Sequence, residues 1–166
     1  MRRQSCAALL LLCAGSVPLP LGAATSQSFQ VSATITPGCL VVGGVSNYGG
    51  LNFGSRSALA TGTVQVALTG GVQLQCTPGV TLNMSVDGGQ YNSSGRHMQI
   101  NSGSARVAYA LFRDAAYSQS LGIGQSVAVA YSDANNISLP IYGQVQLPGN
   151  QPGGTYSDVL QVQLSW

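Results

Sequence analysis

Leu160–Trp166 reads LQVQLSW, with Leu160, Val162, Leu164 and Trp166 alternating with Gln161, Gln163 and Ser165. A period of two puts successive side chains on opposite faces, so one face is apolar and the other polar. The same rhythm runs through Phe29, Val31, Ala33 and Ile35, set between Gln30, Ser32 and Thr34. It recurs in Val64, Val66 and Leu68, in Val72, Leu74 and Cys76, and in Val107, Tyr109 and Leu111. Turn-forming clusters separate the runs: Gly43-Gly44, Gly49-Gly50, Gly70-Gly71, Asp87-Gly88-Gly89, Asn101-Ser102-Gly103 and Pro148-Gly149. Short alternating strands between such turns predict an all-β antiparallel sandwich. No long stretch has helical periodicity, and no repeat indicates a solenoid or propeller.

The pattern at the two ends carries the strongest expectation. Tyr156–Trp166 reads as one strand that runs to the last residue. Thr25–Thr36 (TSQSFQVSATIT) is a strand-like segment with no hairpin partner, since Pro37-Gly38 intervenes before Cys39. Soluble proteins commonly protect sheet edges with charge, above all with Lys. This chain has none. Its six cations are all Arg, its four anions are all Asp, and only 6% of its residues are charged. Such segments predict strand pairing between molecules.

Composition also excludes function classes. Arg2 and Arg3 supply the net charge of +2, and four Arg balance four Asp in the rest of the chain. A nucleic-acid surface needs clustered cations, so no nucleic-acid partner is expected. With 45% hydrophobic residues and little charge to repel itself, the chain is not composed like a disordered one. Residues 1–24 read as a secretory signal peptide: Arg2-Arg3, the apolar run Ala7–Ala14, then Gly22-Ala23-Ala24 before the cleavage point. That run is too short for a permanent membrane span, and no later segment is long and apolar enough, so no stable membrane insertion is expected. The mature chain that cleavage leaves has the length of one domain.

Cys6 and Cys13 leave with the leader, and Cys39 and Cys76 remain. Two cysteines in an exported domain are expected to pair. The alternative, a metal or catalytic thiol, lacks a neighbouring His. Catalysis has little to work with. His97 is the sole His, no Gly-x-Ser-x-Gly turn accompanies it, and Asp87, Asp114, Asp133 and Asp158 are scattered. The Asp residues read as turn formers, Asp87-Gly88-Gly89 most plainly. No enzyme activity, metal or cofactor is expected. Seven Tyr and Trp166 leave a carbohydrate-binding sandwich as a lesser alternative.

Taken in combination, several stretches resemble the spore coat protein U domain family, which includes the archaic (Csu-type) chaperone–usher pilins. They are SFQVSATIT leading to Pro37-Gly38-Cys39, Leu51–Gly54 (LNFG), Val72–Cys76 (VQLQC), Val86–Gly89 (VDGG), Val107–Asp114 (VAYALFRD), Leu139–Gly143 (LPIYG) and Gly154–Trp166 (GTYSDVLQVQLSW). The resemblance implies an incomplete immunoglobulin-like sandwich, completed by a donor strand from a neighbouring subunit. It divides the chain into the leader 1–24, a donor extension 25–36 and a sandwich domain 37–166. Phe29, Val31, Ala33 and Ile35 become the donor residues. Leu160, Val162, Leu164 and Trp166 become one wall of the acceptor groove. The implied partners are identical or homologous pilus subunits, a periplasmic chaperone and an outer-membrane usher. The implied role is a shaft or adaptor subunit of a surface pilus that supports adhesion and biofilm formation. A non-polymerising secreted coat or matrix protein of the same fold is the alternative.

Overall fold

The computed structural model describes residues 27–44, 48–71 and 73–166. The leader, the first two residues of the extension and Val72 lie outside the described residues. The chain divides into two units, Met1–Thr34 and Ile35–Trp166. In the first unit, residues 27–34 belong to no helix or strand.

Ten short strands occur among the described residues of the second unit. They are β1 (Cys39–Val41), β2 (Thr61–Ala67), β3 (Leu74–Cys76), β4 (Asn83–Val86), β5 (His97–Ile100), β6 (Arg106–Phe112), β7 (Val127–Ala128), β8 (Tyr142–Pro148), β9 (Tyr156–Ser157) and β10 (Val162–Ser165). Every strand pairing is antiparallel. One sheet has the order β2-β8-β6-β5-β9, a second has β10-β4-β7, and β1 pairs with β3 alone. No helix occurs among the described residues, so none is long and apolar enough to cross a membrane.

Alternation sets which face is buried. In β6, Val107 and Leu111 are buried while Arg106, Ala108 and Ala110 are exposed. In β4, Met84 and Val86 turn inward between Asn83 and Ser85. Met84, Val86 and Leu111 meet Leu74, Leu121 and Ile137 in one apolar cluster, which joins residues of all three sheets. Burial of such side chains contributes about 1.5–3 kcal/mol each and is the main force holding the layers together. Cys39 and Cys76 face each other in the β1–β3 ladder and form a disulfide.

Two strand readings change. Tyr156–Trp166 is not one strand. It breaks into β9, which pairs with β5, and β10, which pairs with β4 in the other sheet. The break is at Asp158, whose carboxylate accepts from the backbone N–H groups of Gln90 and Val159 and from the Tyr109 hydroxyl. These bonds anchor the segment where the chain crosses between sheets. The second change is β8, which is not among the alternating runs above although it is an interior strand of the large sheet, between β2 and β6. Gly143 packs closely there: a Cβ would come 3.0 Å from both the Leu51 and Phe53 side chains, which would have to shift by a few tenths of an ångström to admit it.

Candidate functional site

Among the described residues β10 is an edge strand, with β4 on one side only. Beside it the second unit opens into a cleft of about 600 Å³. The 48–53 segment and the crossover from β9 to β10 line it, with Leu51, Phe53, Leu160 and Val162 among its apolar side chains. Val86 and Ile141 bring core residues to its surface. A strand edge next to an apolar cleft has unpaired backbone groups and uncovered hydrocarbon together, and both are relieved by adding a strand.

A polar cluster sets the geometry where the crossover begins. The Tyr109 hydroxyl donates to Asp158 Oδ2 at 2.7 Å. Burial, reinforced by that bond, pushes the Tyr109 phenol well above the usual tyrosine range, so it stays protonated and remains a donor. Asp87 ties down the other end of the crossover, since its Oδ1 accepts from Gly89 N and from Gln161 N. Arg96 is buried nearby and donates to the carbonyls of Asp87, Val86, Leu121 and Gly122. Its desolvation lowers its pKa from the usual arginine value. Four carbonyl partners compensate a charge that burial penalises, and they link β4 to the 121–122 loop. Gly89, at φ +80°, is held to glycine twice over, because a Cβ there would collide with the Asp158 carboxylate.

The sequence-predicted residues fall in several places. Leu160, Val162 and Leu164 are half-buried against the core while Gln161, Gln163 and Ser165 face out. Leu160 and Val162 line the cleft; Leu164 does not. Trp166 is exposed, with its indole nitrogen 3.8 Å from where a Cβ on Gly38 would stand. Phe29, Val31 and Ile35 are 86%, 82% and 86% exposed, and Ala33 is exposed with them. Sequence reading missed Leu51, Phe53 and Tyr109 as cleft residues. The two-residue spacing of Leu51 and Phe53 was a usable signal, but Tyr109 read only as a strand residue. His97 Nδ1 lies 2.8 Å from the Gly95 carbonyl oxygen. Asp87, Asp114 and Asp133 each accept a backbone N–H in a local turn.

The family model of the Spore Coat Protein U domain matches residues 25–163. No curated protein matches the sequence. Among solved structures, the CsuC–CsuE chaperone–tip adhesion subunit pre-assembly complex from the archaic chaperone–usher Csu pili of Acinetobacter baumannii is similar with a TM-score of 0.52 at 15% identity. That match covers 80% of this chain and 41% of the other. A chaperone–tip adhesin complex of CFA/I fimbriae biogenesis is similar with a TM-score of 0.48 at 14% identity, covering 78% of this chain and 41% of the other. The chain thus spans about two fifths of the length of these structures.

Proposed function

The chain belongs to the Spore Coat Protein U domain family, and from that membership we propose that it is a structural, non-enzymatic subunit of a surface pilus assembled by donor-strand complementation. Residues 1–24 direct export, residues 25–36 are the donor extension, and residues 37–166 are the acceptor domain. A periplasmic chaperone first covers the cleft beside β10. At an outer-membrane usher, the extension of the next subunit, identical or homologous, replaces it. The subunit serves in the shaft or as an adaptor of a pilus that supports adhesion and biofilm formation.

The observation that carries this reading is the exposure of Phe29, Val31 and Ile35 in a chain whose edge strand β10 borders an open apolar cleft. Three large side chains in water at alternate positions are what an unpartnered strand offers. Burying them at roughly 1.5–3 kcal/mol each stabilises a junction by on the order of 5–9 kcal/mol, before backbone bonds are counted. The β10 edge and the cleft supply the complementary half.

Co-expression with a periplasmic chaperone of the archaic pilus class tests the reading. The expected result is a soluble chaperone complex and, when an usher is added, a ladder of multimers that collapses on boiling. A stable monomer that binds no chaperone and forms no ladder overturns it and leaves the non-polymerising coat protein.

A further inference from the structure

The outer face of the large sheet has a feature that strand exchange does not use. Register places Phe112 beside Tyr142, and Ala110 beside Gln144 with Gln65 beyond it. Tyr117 reaches this face from the loop after β6. Its ring stands edge-on to Phe112 at 5.6 Å and to Tyr142 at 5.9 Å between centroids. Tyr117 has φ +54°, and Ser94 is the only other non-glycine residue in that region among the described residues. This conformation costs of order 1–3 kcal/mol and persists only where neighbours impose it. Here Asp114 imposes it: its carboxylate accepts from Ser118 N, Ser118 Oγ and Gln119 N, and its carbonyl accepts from Tyr117 N. The loop thus holds an aromatic ring against the sheet in a strained backbone.

Next to the rings lies a row of amides. Gln65 Nε2 donates to Gln144 Oε1 at 2.9 Å, and Thr63 Oγ1 donates to Gln146 Oε1 at 2.7 Å. These bonds fix the side chains and leave Gln144 Nε2, Gln146 Nε2 and Gln65 Oε1 pointing their remaining capacity at solvent. Ala108 and Ala110 keep the floor low. The rows from Phe112–Tyr142 to Thr63–Gln146 hold no Arg or Asp, with His97 opposite Ala108, and the loop that holds Tyr117 adds one charge of each sign, Arg113 and Asp114. Arg106, further along β6, is occupied by Gln99 and by the Tyr91 ring.

We propose that this face, built from Tyr117, Phe112, Tyr142, Gln65, Gln144 and Gln146, is a binding site for neutral saccharides. The chemistry selects the ligand class. A polyanion needs cations that these rows lack. A peptide added as a strand needs a free sheet edge, which a face does not offer. A neutral sugar has an apolar C–H face that stacks on aromatic rings and equatorial hydroxyls that exchange hydrogen bonds with amides.

The purified full chain, applied to an array of neutral hexose and N-acetylhexosamine oligosaccharides beside sialylated and sulfated ones, tests the site without requiring polymerisation. Neutral oligosaccharides are expected to bind. Gln144→Ala and Tyr117→Gly are each expected to weaken that binding at least about tenfold, the scale of one lost good contact. Tyr117→Gly also removes the backbone strain, so its melting temperature stays near that of the parent, and the loss reports the ring itself. Gln163→Ala, on the exposed face of β10, is expected to bind as the parent does. Gln144→Ala changes a surface side chain and keeps the test valid if the glycine variant fails to fold. Binding of charged glycans alone, no glycan binding, or parental binding by both variants overturns the proposal. If the two variants reduce self-association instead and no neutral glycan binds, the face is a contact between copies and the proposal falls.

Discussion

Phe29–Ile35 and Leu160–Trp166 are written in the same alternating pattern and have opposite fates. The C-terminal run reaches the core with Leu160, Val162 and Leu164 and gains a ladder with β4. The N-terminal run stays in water with Phe29, Val31 and Ile35 exposed. Period-two patterning states that a segment has an apolar face to bury. It does not state which chain supplies the other half. Under the proposed function, the exposed run is the one completed by another molecule, and the C-terminal run is completed by its own domain.

The sharpest way to break this comparison is to delete residues 25–36. Fibres seen by electron microscopy are expected to vanish, while co-purification with the chaperone persists; long fibres from the deleted protein would end the donor assignment. Single changes resolve the faces. Phe29→Asp and Val31→Asp are expected to remove the multimer ladder on gels, and Gln30→Asp to leave most of it. Equal loss at all three positions contradicts an alternating plug.

Stability measurements contrast the ends in a second way. Phe29 is exposed, so Phe29→Asp is expected to leave the denaturant midpoint of the isolated chain, extension included, unchanged. Cys39→Ser opens the disulfide to Cys76, 37 positions away, and is expected to lower unfolding free energy by about 2–4 kcal/mol. Tyr109→Phe removes the hydroxyl that meets Asp158 and is expected to lower it by about 1–2 kcal/mol. A midpoint that shifts for Phe29→Asp but not for Tyr109→Phe would place the extension, not the crossover, in the folded core.

The smallest effect concerns the loop after β6. Slight desolvation opposes ionisation of Asp114, but hydrogen bonds from Gln119 and Ser118 outweigh it and hold its carboxyl below the usual carboxylate range. A depressed folded-state pKa means that the loop's stabilisation is present above the ordinary aspartate pKa and fades as pH falls through the depressed one. Amide signals of Ser118 and Gln119 are expected to shift in that acid range, with β10 signals unmoved.

Much of the fold was legible in the chain. β2, β3 and β6 fall on alternating runs, and the breaks fall at Gly43, Gly70 and Gly149, all with positive φ. β8 was not read as a strand, although Val145 and Leu147 alternate with Gln144 and Gln146, because a glycine holds its first inward position. The disulfide followed from compartment and count. The break between β9 and β10 was not legible, because Asp158 is anchored by Gln90 and Tyr109, 68 and 49 positions away. The alternation of Leu51 and Phe53 was legible, but their place in the cleft wall was not, because it depends on packing against Gly143 and, for Phe53, on the Tyr109 ring, both distant in sequence.

The sequence by itself determined which residues seek burial, where the chain turns, that two cysteines were free to pair, and that charged residues are few. These are properties of one residue and its near neighbours. Only the tertiary structure decided that β10 remains an edge, that the crossover at Asp158 moves the chain between sheets, and that Arg96 is buried and Tyr109 half-buried near it. Those outcomes depend on contacts between distant segments, and a local pattern is equally compatible with several partners until packing selects one.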